Sequence, residues 1–114
     1  MSYSTQFLNQ IVTVKIDRPL GTRHPRLPQI YYSQNYGYIP GIMAPDGEEL
    51  DAYVLGVLEP IVEFTGRCIA VVHRTNDDDD KLIVVTDGVQ YTDGQIKALT
   101  EFQEKFYQSV IIRT

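Results

Sequence analysis

The sequence predicts an α+β domain: a small closed β-barrel with one C-terminal helix packed on it. Three observations predict it. Short apolar stretches with strand-like composition recur between Ile11 and Val85. Loop and turn signals, notably Pro19, Gly21, Asp46-Gly47, Glu59-Pro60 and Gly66, separate them. From Thr92 onward the apolar spacing changes to steps of three and four. Strands first and a helix last is an α+β order, and five or six short strands close most simply into an OB-like barrel.

The first element, Ile11 to Arg18, alternates Ile11, Thr13, Lys15 and Asp17 against Val12, Val14 and Ile16. It is a half-buried strand with Val12, Val14 and Ile16 pointing inward. Pro19 and Gly21 stop it, and residues 19–28 form a loop with a basic accent from Arg23, His24 and Arg26, with Arg18 just ahead. Residues 29–32 and 36–43 are expected as strands around a kink, since clustered tyrosines favour extended backbone. Further strands are expected over 50–57, 68–73 and 82–85. Thr92-Asp93-Gly94-Gln95 fits a capping box with Tyr91 and Ile96 as its staple. The helix is expected from about Asp93 to Gln108, with Ile96, Leu99, Phe102, Phe106 and Val110 as its stripe, and Val110–Ile112 as a short final strand.

Composition bounds the function. The chain has 114 residues, read as one domain over 1–114, with 43% hydrophobic and 22% charged residues. A formal charge of −5 argues against nucleic-acid binding, which needs a positive field. No apolar run reaches the ~20 residues of a membrane span. The stretch MSYSTQFLNQ lacks the basic flank and apolar core of a signal peptide, and the lone Cys68 suits a reducing compartment, so the cytoplasm is expected.

The chemistry concentrates between Ile30 and Leu55. Asp51 lies within the apolar run Leu50 to Leu55, where an ionised carboxylate costs roughly several kcal/mol unless a cation or donors meet it. Asp46 stands across the turn and could share that cation. Asp77 to Asp80 form a run whose like charges repel by about 1 kcal/mol per pair at ~4 Å in water, so most of it belongs in a solvated loop. One of its carboxylates could join Asp46 and Asp51. Three oxygen ligands with room for water is how Mg²⁺ is held. No Cys/His spacing for zinc, no Walker A motif and no nucleophile elbow is present, and His73 at the end of an apolar strand reads as structural. The reaction class implied is metal-assisted hydrolysis of a phosphate ester or anhydride.

Asn35-Tyr36-Gly37-Tyr38-Ile39, then Asp46-Gly47-Glu48-Glu49-Leu50-Asp51, then Asp79-Asp80-Lys81-Leu82 resembles the signature of the family I soluble inorganic pyrophosphatases. The resemblance spans roughly Val12 to Val85. It implies a Mg²⁺-dependent enzyme, with Mn²⁺ as the alternative ion, that hydrolyses the small molecule pyrophosphate. It implies metal-ligand roles for Asp46, Asp51 and Asp79, phosphate or metal-water contact for Tyr36, and phosphate contact for Lys81. Glu48 falls where the family has an aspartate that takes the proton of the attacking water. The family also has an acid ahead of its D-x-K-L element; ungapped counting lands on Arg74, with Asp77 as a replacement ligand. A homo-oligomer is the assembly the resemblance suggests. The chain departs from the pattern at Glu49 (in place of proline), at Thr13-Val14-Lys15, in a shortened first hairpin, and at Phe106-Tyr107. Those departures keep two alternatives open: a hydrolase of another diphosphate compound, or a catalytically weak module that binds metal or phosphate.

Overall fold

A computed structural model describes residues 3–44, 46–76 and 79–114. A short 3-10 helix, Tyr3–Phe7, precedes β1 (Ile11–Arg18), β2 (Asn35–Met43), β3 (Glu49–Val54), β4 (Glu63–Arg74), β5 (Asp80–Val85), α1 (Asp93–Glu104) and β6 (Ser109–Ile112). The strands run β1-β2-β3-β5-β4, and β4 pairs back onto β1, closing a five-stranded barrel. The β3–β5 contact is parallel and the other pairings are antiparallel. Closure works because β4 is long. Residues 63–67 pair with β1, and residues 71–74 are left for β6 on the same edge. The α+β barrel with one helix is therefore the architecture the alternation predicts.

Strand alternation sorts the apolar residues into two layers. Val14, Leu50, Ala52, Val54, Cys68, Val71, Leu82 and Val84, drawn from β1, β3, β4 and β5 with Ile39 from β2, fill the barrel interior. Tyr36, Tyr53, Ile69, Ala70, Val72, Ile83 and Val85 form the outer face on which Ile96 of α1 packs. Tyr32 and Phe102 complete an aromatic layer there, with ring centroids 5.4 Å apart. Each fully buried large side chain in these layers is worth roughly 1.5–3 kcal/mol.

Two residues of the Asn-Tyr-Gly-Tyr motif serve the fold. A Cβ on Gly37 would sit 1.8 Å from the Lys15 carbonyl oxygen, so only glycine allows β1 this close. Asn35 is fully buried; its Nδ2 donates to the carbonyls of Val57 (3.0 Å) and Glu59 (2.9 Å), and its Oδ1 accepts from Leu20 N (2.9 Å). It thereby pins two loops beside β2.

Several element expectations need correction. Residues 29–32 are not a strand: apart from a single Arg23–Tyr31 bridge they lie in the loop between β1 and β2, where Ile30 and Tyr32 are buried as anchors. β4 starts five residues before the expected position, because its first half closes the barrel. α1 keeps its capping box, Thr92 accepting from Gln95 N and the Gln95 side chain from Thr92 N, but ends at Glu104. Phe106 is exposed beyond it and Val110 is on β6, so the buried face is Ile96, Thr100, Gln103 and Glu104, with Leu99 and Phe102 half-buried. That face is partly polar, and the reason lies in the site.

Candidate active site

Register places the first pair. Asp51 of β3 stands opposite Lys81 of β5, and both lie on the outer face, one alternation step from the buried Tyr53 and Ile83. Tyr36 of β2 stands opposite Tyr53. The Lys81 ammonium lies 2.6 Å from Asp51 Oδ2 and 2.9 Å from Asp79 Oδ2, and the Tyr36 hydroxyl donates to the same Asp51 oxygen at 3.0 Å. The Lys81 side chain is 4% exposed and that of Asp51 35%, so the carboxylate is far more open to water than the lysine. Burial alone pushes the lysine down; Tyr36, Asp51 and Asp79 more than offset it and hold it above the ordinary lysine range. Burial pushes the Tyr36 hydroxyl up, so it remains a donor at neutral pH.

Tyr36, Asp51 and Lys81 face a cavity of about 210 Å³, lined also by Asp17, Arg18, His24, Ile30, Arg74, Gln103 and Tyr107. Apart from Ile30 the lining is polar or aromatic with a polar tip. Arg18, Arg74 and Lys81 line it beside Asp17 and Asp51, with Asp79 against Lys81 and Glu104 against Arg74, so the cations here are met closely by carboxylates. What the cavity offers an anion is therefore a set of held guanidinium and ammonium donors rather than a positive net field.

A hydrogen-bond chain beneath it fixes the cations. Arg18 Nη1 donates to the Tyr32 hydroxyl (2.6 Å), which donates to Gln103 Oε1 (2.6 Å); Gln103 Nε2 donates to the Tyr53 hydroxyl (2.8 Å), which donates to Glu104 Oε2 (2.6 Å). Glu104 accepts from Arg74 Nη2 (2.7 Å) and Nε (3.1 Å), and Arg74 Nη1 reaches Asp79 at 3.5 Å. The polar residues on the buried face of α1 are the middle of this chain. Such fully connected networks hold side chains in one geometry.

The structure brings together four of the sequence-predicted residues, Tyr36, Asp51, Asp79 and Lys81. Asp46 and Glu48 are on the exposed β2–β3 turn, outside the cavity lining; Asp46 Oδ1 accepts from Glu48 N at 3.0 Å, and Gly47 takes a φ of +87°. Asp77 lies outside the described residues. Of the three arginines near the first loop, Arg18 lines the cavity, while Arg23 donates to the Pro28 carbonyl (2.9 Å) and sits over the Tyr31 ring. His73 pairs with Asp80 at 2.6 Å, away from the cavity, as a structural residue. Sequence reasoning missed Asp17, Gln103 and Glu104. The signal for the last two was present: positions 96, 99, 100, 103 and 104 form one helical face, and a Gln-Glu pair at its end is out of place against a core.

The profile of the inorganic pyrophosphatase family matches residues 10–111. The chain belongs to the family I inorganic pyrophosphatases. No curated protein sequence matches it significantly. Among solved structures, the fold is similar to the inorganic pyrophosphatase from Ehrlichia chaffeensis, with a TM-score of 0.68 at 17% identity, covering 90% of this chain and 84% of that one. The Helicobacter pylori inorganic pyrophosphatase gives 0.67 at 16% identity over 91% and 85%. That of Neisseria gonorrhoeae gives 0.62 at 22% over 81% and 70%. At these identities the structures speak for the fold, and the family assignment rests on the profile.

The family is metal-dependent in general. Among the described residues no three His, Cys, Asp or Glu side chains cluster closely enough to hold a metal by themselves. Asp17 and Asp51 nevertheless face one cavity. Asp17 is open to solvent on one side, but partial burial, and then the Asp51 charge, raise its carboxyl, while Arg18 pulls it down. Two carboxylates lining one cavity suit an ion that takes most of its oxygens from water and substrate phosphate, as Mg²⁺ does, better than an all-protein cage. No helix among the described residues is long and apolar enough to cross a membrane.

Proposed function

We propose that the chain hydrolyses inorganic pyrophosphate to two phosphates with Mg²⁺, in the cavity between β3, β5 and the end of α1. The observation that carries this is the trio Arg18, Arg74 and Lys81 around a small cavity with almost no apolar lining. Such a site neutralises phosphoryl oxygens but offers no surface for a base or acyl group, so a bare diphosphate fits it better than a nucleotide does.

In this reading Asp51, with Asp17 beside it, would hold the metal, and Asp46 and Asp79 are its further candidate ligands. The bound ion supplies Lewis-acid activation of water and screening of phosphate charge. Lys81 and Arg18 bind phosphoryl oxygens as charge builds on the leaving group. Tyr36 orients Asp51 through its 3.0 Å hydrogen bond and keeps the second carboxylate oxygen directed outward. The family pattern gives the proton of the attacking water to Glu48, three residues before Asp51, which would have to reach in from the exposed β2–β3 turn with a side chain one methylene longer than an aspartate's. Residues 1–114 act as one unit in the cytoplasm, and a homo-oligomer goes with the family.

The test is phosphate release from pyrophosphate with Mg²⁺, Mn²⁺ or a chelator, beside a panel of nucleoside di- and triphosphates. Metal-dependent release, orders of magnitude faster from pyrophosphate, is expected. Faster release from a nucleotide would point to another diphosphate substrate, and binding without turnover to a catalytically weak module.

A further inference from the structure

Arg74 is unusual among the cavity residues. Its side chain is 6% exposed, and that of Glu104, which holds it at 2.7 Å and 3.1 Å, is 7% exposed. The Tyr107 ring lies flat beneath it, 3.6 Å from guanidinium carbon to ring centroid. Asp79 lies beyond Nη1 at 3.5 Å. A guanidinium gripped from one edge by a carboxylate and from one face by a ring has little freedom left. Burying this pair is expensive, and a packed apolar pair in its place often stabilises as well or better. Stability therefore does not account for it. Its position does, because Arg74 lines the same cavity as Arg18 and Lys81.

Resting on the reading of that cavity as a diphosphate site, we propose that Arg74 is a phosphate-contacting residue, positioned by Glu104, that serves as a resident cation of the site. Part of the substrate's charge is then met by the protein rather than by metal. Arg18 and Arg74 are the two ends of one hydrogen-bond chain through Tyr32, Gln103, Tyr53 and Glu104, so the two guanidiniums are held at a fixed separation. A ligand with two phosphoryl groups engages both; inorganic phosphate engages one. Affinity is accordingly expected to rise from phosphate to pyrophosphate even where metal is chelated.

Calorimetric titration with pyrophosphate and with phosphate, in a buffer containing excess EDTA, tests this. The wild type should bind pyrophosphate more tightly than phosphate. Arg74→Gln alone leaves Glu104 charged and buried, so the informative variant is Arg74→Gln with Glu104→Gln, which removes both charges. With a wild-type circular dichroism spectrum, that variant should lose about ten- to a hundred-fold in pyrophosphate affinity. Arg74→Lys, which keeps the charge and loses the fork, should fall between. With Mg²⁺ present, KM for pyrophosphate should rise more than kcat falls. Unchanged pyrophosphate affinity in the folded double variant overturns the inference, as does a wild type that binds no pyrophosphate in EDTA. Loss of all wild-type turnover with Mg²⁺ would instead overturn the underlying functional reading.

Discussion

The cavity wall and the β2–β3 turn carry acidic residues of the same kind in opposite settings. On the wall, Asp51 meets Lys81 at 2.6 Å and Tyr36 at 3.0 Å, and Glu104 meets Arg74 at 2.7 Å. On the turn, Asp46 accepts a hydrogen bond from its own loop and Glu48 stands exposed. The wall is built before any ligand arrives; the turn is satisfied by itself and by water. Changing the wall should therefore alter both folding and chemistry, and changing the turn only chemistry. The difference teaches that equal sequence prominence, in one short D-G-E-E-L-D stretch, conceals two structural roles.

The turn provides the sharpest break. Glu48→Gln should lower kcat by about 10²–10⁴, the usual contribution of a general base, while thermal unfolding stays within about 0.5 kcal/mol of wild type. Full activity in Glu48→Gln would remove the turn from the chemistry altogether. On the wall, Asp51→Asn should lower phosphate release by about 10²–10³. It should also weaken Mg²⁺ binding, measured by titration. A well-folded Asp51→Asn protein with undiminished release would end the ligand assignment.

Glu104→Gln probes the wall's other side through stability. It removes the carboxylate that holds the buried Arg74 guanidinium at 2.7 Å, with Asp79 at 3.5 Å on the other side, and breaking a buried pair from one side costs about 3–5 kcal/mol. Urea denaturation should show a midpoint shift of that size. A shift below about 1 kcal/mol, the worth of a surface pair, would mean that water reaches this pair after all.

How much of this was legible depends on which physics each residue obeys. The barrel and the capping box at Thr92 follow local rules of alternation and caps; the cost of an isolated buried charge called for a cation or donors at Asp51, but that they are Lys81 and Tyr36 appears only in the structure. Asn35-Tyr36-Gly37 was conspicuous as a motif, but the need for Gly37 appears only when Lys15 O is found where its Cβ would be. Arg74, Gln103 and Glu104 come from the end of β4 and the last turn of α1, thirty residues apart along Arg74–Glu104. No spacing rule links them. The expected stripe held for Ile96, Leu99 and Phe102 and failed at Phe106 and Val110, because the helix ends at Glu104, where the polar network takes over its buried face. The polyaspartate run divides in the same way: Asp79 turns to Lys81 and Asp80 to His73, a choice made by β5 register and invisible in four identical letters.

Asp17 gives the smallest effect and the most direct measure of what the wall costs the fold. Its carboxyl is raised in the folded protein by partial burial, with Asp51 adding to the rise and Arg18 opposing it. A carboxyl with a higher pKa folded than unfolded keeps its proton longer in the native state. Between the unfolded and folded pKa values the native state therefore binds more protons, and stability falls as pH rises through that window. Below the window the penalty is absent; above it the penalty is complete. In metal-free buffer Asp17→Asn should raise Tm at neutral pH by a few degrees or less, with the gain vanishing near about pH 3, where the aspartate is protonated in both states. The gain should shrink when Mg²⁺ is added, because an ion held between Asp17 and Asp51 turns their repulsion into shared attraction and favours the wild type. A gain that is the same at both pH values and indifferent to Mg²⁺ would mean that Asp17 carries no electrostatic cost, and that the two carboxylates do not converge on one ion.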